Sequence, residues 1–279
     1  MPPDPATTAL LVDTAQIAFI EAQIAATRQI FADDAGFKTE RVGGGVAAVT
    51  MASFGRKLNH VAGFGMDGPV TVDHLVRIEE LYSAVGIAPE INLCPYAHES
   101  VFEVLDARGY SVCVEMCVHT LSLHDLDIKE FTTTNPSIAI TRVLPSEHDL
   151  FIRTSTLGFT STAQPPLLLE TLAKIATLRP DTTLYFARID NKIAGCAGVA
   201  YIRTPTGNVA ELYIDSTVPE FRGRGVQSAL VRARLVDAKR DGMGVATATT
   251  WPVGTSARNL AREGFRVGFL KGVYTRGRA

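Results

Sequence analysis

The sequence predicts an α/β (α+β) protein of two tandem units, each a mixed, mostly antiparallel sheet flanked by helices. Its 279 residues are about twice the length of a typical domain. Short strand-like runs alternate with helical patterns in the same order in both halves. Gly45-Val46-Ala47 recurs as Gly198-Val199-Ala200, and Asn59-His60-Val61 aligns with Ala210-Glu211-Leu212, at a spacing of about 150 residues. Chance similarity among small residues is the alternative, but the shared order of elements favours an internal duplication.

The first half begins with a helical pattern and continues with short strands joined by turns. Apolar residues recur at helical spacing over residues 8–31, which predicts an amphipathic helix. Gly43-Gly44-Gly45 separates two strand-like runs, and Gly65-Met66-Asp67-Gly68-Pro69 predicts a turn. The predicted strands are 37–42, 46–52, 57–61, 90–94 and 112–123, and the further predicted helices are 72–85 and 98–108.

A polar segment, residues 125–136, predicts a linker between a first domain at 1–124 and a second at 137–279. The predicted strands of the second half are 138–143, 183–189, 193–204, 209–216, 245–250 and 266–275. Its helices are expected from Pro145 onward and at 165–178, 226–240 and 256–262. Helix 226–240 carries basic residues that we expect on its solvated outer face, namely Arg232, Arg234, Lys239 and Arg240.

The composition excludes several classes of protein. A net charge of −2 is not the basic field of a general nucleic-acid-binding protein, and an apolar fraction of 46% excludes disorder. Acidic residues interrupt residues 1–31, and the apolar run 193–202 is far shorter than a bilayer requires. We therefore expect neither a signal peptide nor a membrane span. The four cysteines lack a metal-ligand spacing, which favours buried thiols in a cytoplasmic protein without a metal.

The segment Pro219-Glu220-Phe221-Arg222-Gly223-Arg224-Gly225 joins a predicted strand to a predicted helix. A loop there presents backbone N–H groups at the positive end of the helix dipole. The two glycines permit a close approach to a phosphate, and the two arginines add cationic donors. An RNA-binding Arg-Gly tail is the alternative, but this motif is single and lies inside an apolar domain. Neither common nucleotide-binding loop is present, so the segment predicts a phosphate or pyrophosphate site.

With this loop, the second half resembles the GNAT superfamily of acyl-CoA-dependent N-acyltransferases. The family's [QR]-x-x-G-x-[GA] loop, which holds the CoA pyrophosphate, corresponds to residues 220–225, with Glu220 in place of Gln or Arg. Ala210-Glu211-Leu212 resembles the family's fourth strand, and Ser256-Ala257-Arg258 with Gly264-Phe265 resembles its S-x-R…G-F helix. The resemblance covers about residues 138–274 and implies the GNAT fold with acetyl-CoA as co-substrate.

The resemblance implies that CoA lies along the fourth strand, the loop and the downstream helix. The expected CoA-binding residues are Ile214, Asp215, Ser216, Thr217, Arg222, Gly223, Arg224, Gly225, Val226, Gln227, Ser228, Ser256, Asn259 and Arg262. Asn259 could instead cap or pack. Residues 36–123 resemble a second, degenerate GNAT unit. Its equivalent loop, residues 64–69, lacks arginine, carries Asp67 and loses an N–H at Pro69, so we expect no CoA there.

The resemblance also implies direct transfer, in which an amine attacks the bound thioester. All six histidines lie at or before His148, so the base in the second half must be another residue. Glu211 occupies the position of the general base in several family members. Alternation places Glu211, Tyr213 and Asp215 on one strand face, unless a β-bulge breaks it. The alternatives are a surface carboxylate at Glu211, packing for Tyr213 and loop capping for Asp215.

The family's common general acid is a tyrosine, and its position here is Leu260. Ser256, one helical turn before it, or Tyr274 in the last strand could protonate the thiolate instead. His60 aligns with Glu211 in the other half and is expected to be a core or interface histidine.

These features predict an enzyme that moves an acetyl group from acetyl-CoA to the primary amine of a small molecule in a ternary complex. A second domain that closes one side of the cleft favours a small acceptor. A non-catalytic acyl-CoA or ligand-binding protein and a protein N-acetyltransferase are the alternatives. We expect a cytoplasmic monomer or homodimer that binds neither nucleic acid, membrane nor metal.

Overall fold

The computed structural model describes residues 4–32, 36–124, 126–132, 137–159 and 164–277. The chain divides into two compact units: unit 1 is Met1–Val118 with Thr249–Pro252 and Val267–Ala279, and unit 2 is His119–Ala248 with Val253–Arg266. The predicted domain ranges assign residues 249–252 and 267–279 to the second domain, whereas the packing assigns them to unit 1. Of the predicted linker, residues 125 and 133–136 lie outside the described residues, and a short helix occupies part of the rest.

The elements of unit 1 follow the predicted order closely. They are α1 (Pro5–Ile30), β1 (Lys38–Val42), β2 (Gly45–Val49), β3 (His60–Ala62), α2 (Val72–Ser83), β4 (Ile91–Leu93), α3 (Ser100–Ala107) and β5 (Tyr110–Ser122), which ends in unit 2. The C-terminal strand β11 (Arg266–Arg276) completes the unit, so the strand order is β1-β2-β3-β4-β11-β5. Strands β3 and β4 are parallel, whereas β4 and β11 pair antiparallel with Gly272 opposite Leu93.

Strand β2 shows why the sheet of unit 1 carries helices on both faces. All five of its residues are buried, and they alternate between two apolar clusters. Ala47 and Val49 join the cluster that contains α2 and α3. Val46 and Ala48 contact the cluster formed by α1. An unbroken apolar run is the pattern of a strand that is covered on both sides.

Helix α1 is the only described helix that is long and apolar enough to cross a membrane by length and composition. However, 56% of its most apolar window is buried within the protein. Apolar core helices meet the same length and composition criterion, as do signal sequences, so this observation is weak evidence for a membrane.

Unit 2 repeats this architecture. Its elements are α4 (Ile128–Thr132), β6 (Ala139–Arg142), α5 (His148–Gly158), α6 (Pro166–Leu178), β7 (Thr182–Ile189), β8 (Lys192–Thr204), β9 (Gly207–Thr217), α7 (Val226–Arg240), β10 (Val245–Thr250), which ends in unit 1, and α8 (Thr255–Arg262). The strand order is β10-β9-β8-β7-β6. Strands β9 and β10 are parallel, and the other pairs are antiparallel.

Both units therefore contain three antiparallel strands followed by one helix and a parallel fourth strand. In unit 1 these are β1, β2, β3 and β4, and in unit 2 they are β7, β8, β9 and β10. Helix α7 packs on one face of the sheet in unit 2, whereas α5 and α6 pack on the other. The prediction of two tandem units with mixed, mostly antiparallel sheets flanked by helices is confirmed.

Candidate active site

The predicted phosphate loop stands at the N-terminus of α7. Gly223 and Gly225 adopt φ of +75° and +83°, a left-handed conformation that side chains with a Cβ disfavour. Gly225 is the N-cap residue of α7, and no side-chain hydrogen bond to the first turn is found in this described segment. The first N–H groups of the helix are therefore open to an anion, which the helix dipole also favours.

The two loop arginines have different surroundings. The Nη2 atom of Arg222 donates to the carbonyl oxygen of Gly158 at 3.0 Å, at the C-terminal end of α5. This bond connects the loop to the C-terminal end of α5, where the helix dipole favours the positive charge of Arg222. The guanidinium of Arg224 lies 5.4 Å from the ring centroid of Phe221, and the side chain is exposed. Arg224 is thus the better placed of the two to meet a soluble phosphate.

Four predicted CoA-binding side chains form one hydrogen-bonded chain between α7 and α8. Gln227 donates from Nε2 to the Ser256 hydroxyl at 2.8 Å and accepts from Asn259 Nδ2 at 2.7 Å. Arg262 in turn donates to Asn259 Oδ1 at 3.4 Å. The structure therefore brings these residues together beside the N-terminus of α7. Ser228 is half-buried one residue further along the same turn, and Val226 is buried in the core.

Strand β9 contains a β-bulge in the region of the predicted acyl site. Cys196 pairs with Ser216, but Gly198 pairs with Tyr213, so two residues of β9 stand opposite Ala197 alone. The first of them, Ile214, has a φ of +54°, which is a strained value for a β-branched residue. One extra residue in a strand turns the following side chains to the opposite face.

The bulge overturns the prediction that Glu211, Tyr213 and Asp215 share one face. Tyr213 packs with the cluster under α5 and α6, as the alternation from Glu211 predicts. Asp215 instead forms an ion pair with Arg234 of α7, on the opposite face. Ser216 turns toward α5, where its hydroxyl donates to the Ser155 carbonyl at 3.0 Å. The side chains of Asp215 and Ser216 therefore have partners within the protein, and Thr217 continues the strand opposite Gly195.

Glu211 and Tyr213 lie before the bulge and remain on one face of β9. Glu211 is 8% exposed and stands opposite Thr247 of β10. The Tyr213 hydroxyl hydrogen-bonds the Thr182 hydroxyl at 2.8 Å, and the Arg179 guanidinium lies 5.6 Å from its ring centroid. Burial raises the pKa of Tyr213 to about 12, so its hydroxyl keeps its proton at neutral pH.

The remaining candidates for proton transfer belong to different units. Leu260 is buried in the core of unit 2, where it packs as an apolar side chain. Ser256 is exposed in the hydrogen-bonded chain described above. Tyr274 belongs to unit 1, where it stands opposite Ile91 and packs against the core of that unit.

Residues 148–265, which include the loop, the bulged strand and α8, match the family model of the acetyltransferase (GNAT) family. This segment is a GNAT-family domain. It contains every predicted site residue except Tyr274. None of the curated proteins matches the chain in sequence.

Several solved structures similar to this chain are GNAT proteins, and one of them is a tandem GNAT protein. A GCN5-related N-acetyltransferase from Kribbella flavida is 15% identical, with a TM-score of 0.63 over 92% of this chain and 96% of that one. One from Sphaerobacter thermophilus is 12% identical, with a TM-score of 0.55 over 98% and 93%. A tandem GNAT protein from the clavulanic acid biosynthesis pathway is 12% identical, with a TM-score of 0.56 over 73% and 68%. At these identities the similarity shows the fold.

Unit 1 differs from the GNAT domain where the phosphate loop would lie. Helix α2 starts with a capping box between Thr71 and His74, in which the Thr71 N–H donates to His74 Nδ1 at 3.2 Å. His60, aligned with Glu211, is buried and its Nδ1 donates to the Arg56 carbonyl at 2.9 Å. Burial and nearby cations lower its pKa to about 4. That this unit does not bind CoA stays a prediction.

The sequence interpretation missed Arg234. It was expected on the outer face of α7, but its side chain is fully buried. The spacing contained the signal, because Val226, Leu230 and Arg234 recur every four residues and so share one face. A basic residue within an apolar stripe indicates a buried partner, and Asp215 is that partner here.

A separate cavity of about 320 Å³ lies toward the C-terminal end of α7. It is lined by Phe131, Ile140, Thr141, Arg142, Tyr185, Ala233, Val236, Asp237 and Arg240, none of which is a predicted site residue. Over the described ranges, no group of three or more His, Cys, Asp or Glu side chains could hold a metal ion. The predicted phosphate loop lies at the other end of α7.

Proposed function

We propose that the protein transfers an acetyl group from acetyl-CoA to the primary amine of a small molecule. The observation that carries the proposal is the loop at α7, with two left-handed glycines before an uncapped helix N-terminus and the exposed Arg224 beside it. Backbone N–H groups, a helix dipole and an arginine together suit a pyrophosphate. The chain's GNAT domain makes CoA the phosphate ligand of choice.

In the proposed reaction, the amine nitrogen attacks the carbonyl carbon of the thioester and the C–S bond then breaks. Glu211, buried in β9, takes the proton that the attacking amine loses. Backbone N–H groups of the bulged strand stabilise the oxyanion. The departing thiolate takes a proton from solvent or from Ser256. Tyr213, whose hydroxyl hydrogen-bonds Thr182 and keeps its proton at neutral pH, is the other candidate donor to the sulfur.

A thermal-shift titration with CoA and with acetyl-CoA tests the binding step. Saturation at about 100 times Kd should stabilise the protein by about 2.7 kcal/mol. Arg224→Glu should abolish the shift, because it reverses the exposed charge of the loop. Arg240→Glu is the matched control, since this exposed arginine lies at the other end of α7. A wild-type protein that neither ligand stabilises would refute the proposal.

A thiol-release assay over a panel of amines then separates an enzyme from a binding protein. Glu211→Gln should leave CoA affinity unchanged and lower kcat by about 10²- to 10⁴-fold. An unchanged rate and pH profile in Glu211→Gln would exclude Glu211 as the base. A non-catalytic acyl-CoA-binding protein is the second candidate, because Leu260 packs in the core where the family's acid stands. Stabilisation by CoA without thiol release for any amine would favour it.

The acceptor, the oligomeric state and the location remain proposals of the same kind. The two-unit organisation favours a small acceptor over a protein surface. We also propose a cytoplasmic location and a monomer or homodimer. Acetylation of a lysine peptide in preference to every small amine would instead indicate a protein acetyltransferase. Size-exclusion chromatography with light scattering decides between monomer and homodimer.

A further inference from the structure

Arg234 is an unusual residue for the interior of a helix–sheet interface. It lies on α7 with no exposed side-chain surface, where an unpaired charge would be costly. Its Nε donates to the carbonyl of Leu230 on its own helix at 3.0 Å. The other two nitrogens of the guanidinium reach across to the sheet, so one side chain connects three elements.

Both contacts of Arg234 with the sheet are at the bulge. Nη1 donates to the carbonyl of Gly198 at 3.0 Å, at the point where the pairing of β8 and β9 shifts. Nη1 also donates to Asp215 Oδ2 at 2.9 Å, and Nη2 bonds the other carboxylate oxygen. Arg234 therefore contacts β8 beside the bulge and, in β9, the second residue of the bulge itself. Planar, two-pronged pairing of this kind fixes geometry as well as distance.

Ile214 needs such support because its backbone is strained. A residue with φ of +54° and a branched Cβ persists only where its surroundings leave no alternative. Gly198 provides space for it, since a Cβ there would lie 3.2 Å from Ile214 Cγ2. Buried ion pairs contribute little net stability but can select one arrangement over another.

We infer that the Arg234–Asp215 pair is a positioning pair that holds the bulge in the conformation that receives the acyl-CoA thioester. The inference rests on the proposed acyl-CoA site. Helix α7 carries the predicted phosphate loop at its N-terminus, and about two turns later Arg234 of the same helix contacts Asp215 of the bulged strand. The pair thereby connects the group that holds the pyrophosphate with the backbone that faces the thioester.

The test compares Arg234→Met and Asp215→Asn with Arg240→Met. The control removes an exposed arginine of the same helix, whose Nη1 lies 3.9 Å from Asp237 Oδ1, away from the bulge. Two measurements are made: the Kd for CoA, and hydrogen–deuterium exchange of the backbone amides of residues 214–216. We expect both bulge variants to bind CoA about 5- to 100-fold more weakly, which corresponds to about 1–3 kcal/mol of strain. Their amides should exchange faster, and the control should match the wild type.

A second substitution, Ile214→Gly, tests whether the ion pair acts by holding the strained bulge, because a general loss of stability would not be reversed by it. Glycine adopts a positive φ without strain, so the bulge should then depend less on the ion pair. In the Asp215→Asn background, Ile214→Gly should recover part of the lost CoA affinity and slow the exchange of neighbouring amides. Absence of rescue, together with general destabilisation, would overturn the inference.

Other outcomes are also decisive. If folded Arg234→Met or Asp215→Asn protein keeps the wild-type Kd and exchange rates, the positioning role is refuted. If Arg234→Met does not fold, the near-isosteric Asp215→Asn decides. If the wild type does not bind CoA, the proposed function fails, and the exchange measurement alone still decides whether the pair holds the bulge.

Discussion

The buried His60 of unit 1 predicts how the free energy of unfolding depends on pH. Its imidazole is buried, and its pKa falls from 6.5 to about 4, first because of burial and further because of Arg56, Lys271 and Lys57. The hydrogen bond to the Arg56 carbonyl acts in the opposite direction. Folded protein therefore keeps a neutral His60 at a pH where unfolded chains bind a proton.

The sign of the pH effect follows from this difference. Above about pH 6.5 His60 is neutral in both states and has no effect on the pH dependence of stability. As the pH falls from about 6.5 to about 4, the unfolded state binds more protons and unfolding becomes more favourable. At about 1.36 kcal/mol per pKa unit, the loss is about 2 kcal/mol near pH 5 and about 3 kcal/mol near pH 4.

His60→Asn isolates this contribution. The asparagine amide can replace the Nδ1–H donor to the Arg56 carbonyl but does not titrate. Trp251, the single tryptophan, belongs to unit 1, so its fluorescence follows urea unfolding of that unit. The wild type should lose about 2 kcal/mol more than His60→Asn between about pH 7.5 and pH 5. His98→Asn, at an exposed histidine, is the matched control. Equal pH dependence in wild type and His60→Asn would refute the reasoning.

Three further predictions concern other contacts. Asp13→Asn should destabilise unit 1 by about 3–5 kcal/mol, because it leaves the buried Lys271 unpaired. Urea unfolding measures this loss of stability. The double variant Asp13→Leu/Lys271→Met, which removes both charges, should recover much of it. Gly225→Ala should weaken CoA binding, because alanine disfavours a φ of +83°. The effect is on the backbone and not a clash, since the nearest atom to the added Cβ is 3.9 Å away. Calorimetric titration measures the loss of affinity, and a wild-type Kd would contradict the prediction. Tyr213→Phe should lower kcat at unchanged CoA Kd and cost about 0.5–1.5 kcal/mol of stability, since it removes the hydrogen bond to Thr182. An unchanged kcat would exclude the hydroxyl from catalysis.

The comparison of sequence and structure is most instructive around α7. The pattern of residues 209–240 predicts a strand, a glycine–arginine loop and a helix, and the structure has all three. Such local features follow from periodicity and from backbone preferences of nearby residues. The faces of Asp215 and Ser216 do not, because a bulge depends on how β9 pairs with β8. Because of this register shift, the carboxylate of Asp215 lies on the face of the sheet that carries α7, where it pairs with Arg234.

The amino-acid sequence by itself determined the tandem α/β organisation, the order of nearly all elements and the position of the phosphate loop. These depend on short-range patterns: alternation, helical spacing and glycines at turns. Only the tertiary structure decided that Arg234 is buried, that Ile214 is strained, and that β11 pairs with β4 in unit 1. Each of these results from contacts between residues far apart in the chain. Local patterns do not encode such contacts, because strand pairing and burial depend on which distant partner supplies the matching surface or charge.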